Sequence, residues 1–363
     1  LRYLPRRIKT MDLIKKIVID KKRLHLRQSF RVTYEDVSET EVIFLKIIDQ
    51  NGNFGLGSAS CDTCVTGEKI NDVFKILKKQ LTKSFFDISF QSWYQYHEKI
   101  QKVFSRYLSA QFAVEEAVLD LFSKQSGIPL PIFFGGYRNS VDLIYSVGIK
   151  GIKETEEEVL LKLKEGFKII KLKIGEDIGE DIEKIKLIRK IIPARNKITL
   201  DANRGYAFSA AKQLFKAINP LDISLIEEPL IKKDLSLLKE LQSIAKIPII
   251  ADESTVTINS AIDILLSDNW DGLNIKLINC GGPINFLKIF YLAKVLKKIT
   301  MIGCTYESNI SMTAGANLAL GLPVDYVDLD SGHLDFIDDP TIGGVKVEAG
   351  KIKIEKPLAL PGY

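Results

Sequence analysis

The segment IIKLKI at residues 169–174 places Lys171 and Lys173 within an otherwise apolar run that is typical of a β-strand. Alternate side chains of a strand point to the same face, so the two ammonium groups share one face. An unpaired ammonium group inside a protein is strongly destabilising, and a buried strand normally excludes it. The two lysines therefore predict a functional site at the end of this strand.

The composition is that of a globular protein with neither a nucleic acid nor a membrane partner. The chain has 363 residues, of which 46% are hydrophobic, and this length allows two packed units that need not be sequential. The net charge is only +5, and the lysines are spread along amphipathic segments. Apolar runs have only strand length and no leader is evident, which favours a cytoplasmic protein with an N-terminal extension at residues 1–10.

The cysteines and histidines give little support to a metal or redox centre of their own. The four cysteines are too few and too scattered for a disulfide framework, which fits a reducing compartment. Cys61 and Cys64 form a CxxC pair, but no second pair and no histidine lie near them in the sequence. Ordinary loop or core positions are therefore favoured over a zinc or redox role.

The first part of the chain has the pattern of an α+β unit. Strand-like segments from about residue 13 to 49 predict an antiparallel meander. Helical spacing of apolar residues follows at 70–81 and 110–127, and the second of these segments ends at a glycine. We expect a capping domain at residues 11–135 that the C-terminal tail, residues 336–363, completes.

Beyond residue 129, short apolar strands alternate with amphipathic helices, which is typical of a parallel sheet built from βα units. The intervals from Asp201 to Glu227, to Asp252 and to Lys276 are 26, 25 and 24 residues. This regular spacing predicts a (β/α)7β barrel, a modified TIM barrel of the α/β class, at residues 136–335, with its active site at the carboxyl ends of the strands. The expected strands lie at 143–149, 169–174, 197–203, 224–229, 247–254, 273–278, 299–305 and 325–330.

Asp201, Glu227 and Asp252 lie at the ends of three consecutive expected strands. The barrel brings these carboxylates into one mouth, and no histidine or cysteine accompanies them. Oxygen ligands suit a hard cation, and three carboxylates with open positions suit Mg²⁺. The alternative is that each forms a separate ion pair at the rim, but three acidic strand ends in succession favour the metal.

Lys276 follows the acidic residues on the next strand, so lysines flank the expected metal from both sides. A lysine kept from water near other cations favours its neutral form and can act as a base near neutral pH. Glu253 is expected to hold Lys276 by an ion pair. The alternative is that the lysines merely neutralise the carboxylates.

This combination of groups predicts a reaction. A metal and lysines can stabilise the enediolate that forms when a proton leaves the carbon next to a carboxylate. With one base on each face of that planar intermediate, a proton lost to Lys173 is replaced from Lys276, or the reverse. The result is inversion of the stereocentre.

Several segments together resemble the muconate lactonizing subgroup of the enolase superfamily, namely KLK, LDANRGY, IEEP, IADES, NIKLINCGG and a late DLD. The resemblance covers nearly the whole chain. It implies that the three acidic residues bind Mg²⁺, that Lys173 and Lys276 are the acid/base pair, and that Lys171 helps to hold the substrate carboxylate. Barrels of this family commonly associate, so a homo-oligomer is among the expectations.

The Asp-x-Asp sequence on the eighth strand is similar to that of dipeptide epimerases, in which it binds the α-ammonium group of the substrate. Asp328 and Asp330 occupy these positions. Two carboxylates that face one way also offer a cation several acceptors. The resemblance implies a magnesium-dependent dipeptide epimerase that inverts the α-carbon of the C-terminal residue of an L,L-dipeptide by two-lysine 1,1-proton transfer. The alternative is a bystander role for the aspartate pair.

By the same resemblance, further residues near the barrel mouth contact the substrate or support residues that do. Barrel packing or loop structure is the alternative for each of them. The dipeptide cleft is expected to be lined by Ser146, Cys304, Thr305 and Tyr306, and the site to be supported by Asn203, Glu253 and Glu307.

The loop after the first strand reads the substrate side chain in this family, and here it departs from one version of the pattern. Members specific for Ala-Glu dipeptides carry an arginine a few residues after a phenylalanine. This chain has Phe30 and Arg31, and then Glu35 and Asp36 where that arginine is sought. Carboxylates there repel an anion. We expect a hydrophobic or otherwise non-acidic second residue, with Ala-Glu as the close alternative and Arg31 as a candidate substitute.

Other reactions share the same first half-step, namely cycloisomerisation of muconate, dehydration to o-succinylbenzoate and racemisation of N-acylamino acids. Their substrates lack a free ammonium group and have no use for Asp328 and Asp330. A non-catalytic barrel that binds a chelated ligand is a further alternative, and the retention of both lysines argues against it.

Overall fold

The computed structural model describes residues 14–88, 92–231 and 234–362. The N-terminal extension expected at residues 1–10 and the first positions of the expected capping domain lie outside these ranges. Within them, no helix is both long enough and apolar enough to cross a membrane.

An antiparallel sheet opens the described chain, and its strand order is that of the predicted meander. Its strands are β1 (Ile14–Val32), β2 (Glu35–Asp49) and β3 (Phe54–Ala59). β1 is one long strand, with a register shift between His25 and Phe30. The sequence did not predict β3, because two glycines interrupt its apolar pattern.

Helices of the cap follow this sheet in the chain. They are α1 (Thr63–Thr66), α2 (Ile70–Gln80), α3 (Trp93–Val103), α4 (Leu108–Ser126) and α5 (Leu130–Phe133). Gly127, in the left-handed conformation with φ of 70°, ends α4 as the sequence predicts. Gly57 allows β3 to lie directly on α4, since a Cβ there would come within 1.9 Å of the carbonyl oxygen of Ala113.

Strands and helices alternate through the rest of the chain. The strands are β4 (Val141–Asp142), β5 (Ile144–Val147), β6 (Ile169–Lys173), β7 (Lys197–Asp201), β8 (Leu225–Glu227), β9 (Ile249–Ala251), β10 (Gly272–Lys276), β11 (Ile299–Gly303) and β12 (Tyr326–Asp328). The helices are α6 (Ile152–Lys164), α7 (Ile178–Ile191), α8 (Phe208–Ile218), α9 (Leu235–Ile244), α10 (Ile258–Leu266), α11 (Leu277–Cys280), α12 (Pro283–Val295) and α13 (Asn309–Gly321).

The strands from β5 to β12 form one parallel sheet in chain order, and the predicted (β/α)7β barrel is confirmed. β5 and β12 lie side by side, and hydrogen bonds from Ser146 to Asp328 and Asp330 join them. Each expected strand is present but ends one to three residues earlier than the sequence suggests. Residues 277–278, expected as strand, instead begin α11, a single helical turn that Gly281 closes in the left-handed conformation.

Alternation along the strands separates the apolar core from the charged interior. In β10, Leu273 and Ile275 belong to the core between strands and helices, whereas Asn274 and Lys276 face into the barrel. An apolar cluster inside the barrel contains Ile144, Ile169, Leu225, Ile250 and Met301. Most of its members come from the early part of their strands, so the charged side chains gather at the carboxyl ends.

The C-terminal segment contacts both the barrel and the cap. Its hairpin, formed by β13 (Ile342–Glu348) and β14 (Lys351–Ala359), pairs with β4. At its end, Leu358 and Leu360 pack with apolar residues of the cap sheet. The tail therefore ties the cap to the barrel.

Replacement of Gly57 by alanine tests the close packing of β3 on α4. The added Cβ would meet a backbone carbonyl that cannot swing away, so we expect a loss of about 2 kcal/mol or more in the free energy of unfolding, in the upper part of the range for overpacking. Gly179→Ala in α7 is the matched control, because its nearest neighbour is a side-chain oxygen at 3.2 Å. Urea denaturation followed by circular dichroism measures both, and equal midpoints would contradict the packing.

Candidate active site

Three carboxylates meet at the carboxyl end of the barrel. Asp201 ends β7, Glu227 ends β8 and Asp252 directly follows β9. Asp201 and Glu227 are partners in the parallel register, so they stand at the same height. One oxygen from each of the three residues lies within 4.8 Å of the others, and all three side chains are buried. The structure therefore brings the expected triad together.

The surroundings of the triad fit a divalent cation. Glu227 Oε2 accepts a hydrogen bond from Asn274 at 2.9 Å, whereas its Oε1 is buried without a donor among the described residues. Burial and the charges of Asp201 and Asp252 raise the pKa of Glu227 well above its usual value. A hard cation with open coordination positions would relieve this repulsion, and carboxylate oxygens are the ligands that Mg²⁺ prefers.

The backbone that carries the triad is held in unusual conformations. Glu228 has a positive φ of 35°, and its carboxylate accepts hydrogen bonds from the backbone of Asp252 at 2.9 Å and of Ser254 at 3.2 Å. Asn203 also has a positive φ, of 41°, and its N–H donates to Asp201 Oδ1 at 3.0 Å. Such strain persists only where surrounding contacts enforce it, and it is frequent at functional sites.

The two lysines flank the triad from opposite sides. Lys173 ends β6 and its Nζ lies 2.6 Å from Asp201 Oδ2 and 3.1 Å from Asn203 Oδ1. Lys276 ends β10 and its Nζ lies 2.9 Å from Asp252 Oδ1. Burial lowers the pKa of Lys276, but Asp252 and other nearby carboxylates outweigh burial and hold it well above the usual value.

The expected ion pair between Glu253 and Lys276 is wrong. Among the described residues, the carboxylate bound to Lys276 is that of Asp252, and Glu253 Oε1 instead accepts a hydrogen bond from Asn203 Nδ2 at 2.9 Å. Consecutive residues at a strand end point to different sides, so only one of the two carboxylates can face Lys276. Burial, together with Asp252, raises the pKa of Glu253 to about 8.

Lys171 links the triad to the eighth strand. Its Nζ donates a hydrogen bond to Asp328 and lies 3.7 Å from Glu227 and 3.8 Å from Asp201. Only 3% of Lys171 is exposed, and these carboxylates compensate its buried charge. Asp328 is therefore engaged with a lysine of the barrel as well as being available to the cavity.

The remaining expected residues surround one cavity of about 990 Å³. Asp330 Oδ2 accepts a hydrogen bond from the backbone N–H of Ser146 at 2.7 Å, and the Cys304 thiol lies 3.9 Å from Oδ1. The Thr305 N–H donates to Glu307 at 3.0 Å, which anchors the loop after β11. The cavity is lined by Phe30, Arg31, Glu35, Ser146, Lys171, Lys173, Asn203, Lys276, Cys304, Thr305, Tyr306, Asp328 and Asp330.

The turn between β1 and β2 is seated on the barrel. The Ile149 N–H donates to the backbone carbonyl of Arg31 at 2.8 Å, and the Thr33 hydroxyl donates to the carbonyl of Asn203 at 2.8 Å. The Arg31 guanidinium forms two hydrogen bonds of 3.0 Å with Glu176. The arginine considered as a partner for an acidic substrate is therefore occupied by a barrel carboxylate.

Four residues of the site were not predicted from the sequence. Asn274 lies two positions before Lys276, so the strand alternation contains a signal for it. Glu228 is the second glutamate of the IEEP segment and carries a weaker signal. Tyr34 and Asp62 line the cavity from the cap, and only the tertiary structure brings them to the lysines.

Comparison with known proteins identifies the family. A family model described as Enolase C-terminal domain-like matches residues 154–363. The chain belongs to the enolase superfamily. The L-Ala-D/L-Glu epimerase of Clostridium acetobutylicum is 29% identical to this superfamily member over 351 residues, which are 95% of this chain and 97% of that protein.

Solved structures from the superfamily share the architecture of both units. The substrate-liganded L-Ala-D/L-Glu epimerase of Bacillus subtilis has a TM-score of 0.89 at 28% identity, covering 94% of this chain and 96% of that chain. The dipeptide epimerase of Enterococcus faecalis V583, complexed with Mg and L-Leu-L-Tyr, has a TM-score of 0.88 at 27% identity, covering 96% and 98%. The resemblance to dipeptide epimerases of the muconate lactonizing subgroup is thereby confirmed, as is magnesium as the expected cofactor.

Replacement of Glu227 by glutamine tests the metal site. The loss of one anionic ligand should weaken Mg²⁺ binding at least about tenfold, and it should abolish most of the rise in melting temperature that Mg²⁺ causes in the unaltered protein. Glu240→Gln is the control, since Glu240 is exposed and pairs with Lys212 on the outer helices. Titration calorimetry with MgCl₂ measures the affinity, and equal affinities of both variants would contradict the assignment.

Proposed function

We propose that this chain is a magnesium-dependent dipeptide epimerase that inverts the α-carbon of the C-terminal residue of an L,L-dipeptide. The observation that carries the proposal is the position of Lys173 and Lys276 on opposite sides of one carboxylate triad. Asp330 lines the same cavity as the two lysines. Two relatives that match almost the whole chain are named as epimerases of dipeptides. The proposed partner of the cavity is accordingly a small dipeptide.

The cavity floor offers each charged end of a dipeptide a group of opposite sign. Lys171, beside the triad, would hold the substrate carboxylate. The carboxylate of Asp330 has acceptor capacity beyond its contacts with Ser146 and Cys304, and it would bind the α-ammonium group. Held at both ends, the substrate would have the α-carbon of its second residue between Lys173 and Lys276.

The two lysines would exchange protons with this carbon from its two faces. A neutral amine at Lys173 removes the proton from one epimer, the ammonium group of Lys276 returns a proton to the other face, and the reverse reaction exchanges the roles. Magnesium, when bound, supplies positive charge that offsets the triad and the charge developing on the substrate carboxylate. Burial then favours a neutral lysine, which one member of the pair needs at the start of a turnover.

Asn203 would keep Lys173 aimed at the substrate. Its Oδ1 accepts from Lys173 while its Nδ2 donates to Glu253, so the amide orientation is set from both sides. The backbone carbonyl of Asn203 also accepts from Thr33 of the cap. Asn203 thus links the β1–β2 turn, through its backbone carbonyl, to one acid/base group, through its side chain.

The side chain of the second residue is proposed to be non-acidic, with hydrophobic side chains among those admitted. Glu176 occupies Arg31, and Glu35 lines the same cavity. An acidic side chain would meet repulsion in this part of the site. Ala-Glu is the second candidate substrate, because the names of two of the compared relatives specify it.

Incubation with L,L-dipeptides and Mg²⁺ in deuterium oxide tests the reaction. We expect deuterium at the α-carbon of the second residue, together with formation of the L,D epimer. Lys173→Met and Lys276→Met should each lower epimerisation about 10²- to 10⁴-fold, because each removes one acid/base group. Lys168→Met, at an exposed position before β6, is the control. Mass spectrometry and NMR measure the exchange.

Each lysine variant should retain exchange from the epimer that its surviving base serves. Small and equal losses from both epimers would contradict the two-base mechanism. No exchange with any member of a broad dipeptide panel, using metal-loaded protein, would overturn the epimerase proposal itself.

Replacement of Asp330 by asparagine separates dipeptide epimerisation from the related reactions. Loss of an ion pair to the α-ammonium group should lower kcat/KM for dipeptides at least about tenfold, since hydrogen bonds to charged groups contribute about 1.5–3 kcal/mol. Asp338→Asn, at an exposed residue that contacts His25, is the control. Kinetics with dipeptides and with N-acylamino acids distinguish the cases. N-acylamino acids as the better substrates, turned over by the Asp330→Asn variant with most of the unaltered activity, would favour the racemase alternative.

A further inference from the structure

Two carboxylates of the cap, on Glu35 and Asp62, line the cavity beside the lysine pair. Glu35 begins β2 and Asp62 precedes α1, so they reach the cavity from different segments. Burial, followed by the charge of Asp62, raises the pKa of Glu35, while the charge of Lys276 acts on both carboxylates. The two acids and the lysine therefore line the same cavity and act on one another electrostatically.

The basic groups around these carboxylates are engaged elsewhere. In the part of the chain that the structure describes, no ion pair reaches Glu35 or Asp62. Arg31 is held by Glu176, and Arg204 of the barrel lies 3.7 Å from a carboxylate oxygen of Glu228. The acid/base lysines are paired with ligands of the triad. Two partly buried carboxylates thus line the cavity, and neither has a direct ion-pair partner among the described residues.

The local fold uses little of their hydrogen-bonding capacity. Asp62 Oδ1 caps α1 by accepting from the Val65 N–H at 3.1 Å, which leaves its second oxygen for another donor. The Glu35 carboxylate accepts no hydrogen bond from a described residue. Burial raises the pKa of both carboxyl groups, so the fold alone does not favour their charged form.

An apolar wall accompanies the acidic pair. The rings of Phe30 and Tyr306 meet edge to face with centroids 6.3 Å apart, and both line the cavity. Tyr306 is close enough to Glu35 for that charge to add to the effect of burial in raising the pKa of the phenol. Lysine and arginine side chains combine a methylene stem with a charged end, which matches an apolar wall followed by carboxylates.

We propose that Glu35 and Asp62 bind the cationic end of a basic side chain, so that the second residue of the substrate is lysine, arginine or a residue of similar charge and reach. The inference rests on the proposed function, because the lysine pair defines where the second residue lies. A side chain that leaves the α-carbon towards the cap would pass Phe30 and Tyr306 and end at the two carboxylates, all of which line this cavity. Guanidinium and ammonium groups donate several hydrogen bonds, which two carboxylates from different segments can share.

The test compares dipeptides that differ in one charge. Magnesium-loaded full-length protein is assayed with L-Ala-L-Lys, with L-Ala-L-Arg, and with L-Ala joined to L-2-aminoheptanoate, which has the length of lysine without its charge. We expect kcat/KM to be at least about tenfold higher for the basic dipeptides than for the neutral one, as a charge-assisted hydrogen bond would provide. Added salt should reduce this ratio.

Variants assign the preference to the two carboxylates. In Glu35→Gln and Asp62→Asn, kcat/KM for L-Ala-L-Lys should fall about tenfold more than kcat/KM for the neutral dipeptide. Glu39→Gln is the matched control, because Glu39 lies on the same strand and lines the same cavity but is already paired with Arg23. The charge reversal Glu35→Lys should shift preference towards L-Ala-L-Glu, which keeps the test decisive if a neutral variant folds poorly.

The outcomes separate this inference from the function on which it rests. Equal losses for basic and neutral dipeptides in the Glu35 and Asp62 variants would show that the pair only balances Lys276, and would overturn the inference. Equal kcat/KM values of the unaltered protein for neutral and basic dipeptides would also overturn the inference. The proposed function would stand in that case. Absence of exchange with every dipeptide would overturn the proposed function and the inference together.

Discussion

The buried charge of Lys171 is the constraint on which the rest of the site depends. Its ammonium group donates to Asp328 and lies 3.7 Å from Glu227 and 3.8 Å from Asp201, so it touches the triad and the eighth strand at once. Removing one partner of a buried ion pair costs about 3–5 kcal/mol, because the other charge is left uncompensated. The barrel interior must therefore keep these charges as a set, and the shared set orients the triad towards the cavity.

Hydrogen bonds join the β1–β2 turn of the cap to the carboxyl end of the barrel. Thr33 donates to the carbonyl of Asn203, and Arg31 is held by Glu176. Asn203 in turn contacts Lys173 and Glu253. The turn and Lys173 therefore contact one residue, Asn203, the turn through its backbone carbonyl and the lysine through its side-chain amide, so their positions are linked.

Carboxylates lie close together in this site, and their mutual repulsion lowers the stability of the fold. Burial raises the pKa of Glu227 well above its usual value and that of Glu253 to about 8, with Asp252 adding to both effects. The positive φ angles of Glu228 and Asn203 add backbone strain at the same strand ends. A cation in the triad would relieve the repulsion, which explains why an arrangement that disfavours the fold can persist.

Sequence alone determined the barrel, the triad and the lysine pair, because strand alternation and the regular βα spacing specify which residues face one mouth. It did not determine that Asp252 rather than Glu253 faces Lys276, since adjacency does not say which way a strand-end side chain turns. Nor did it reveal that Glu176 occupies Arg31, or that Asp62 stands beside Lys276. Those contacts join segments far apart in the chain, and only the packing of the cap on the barrel decides them.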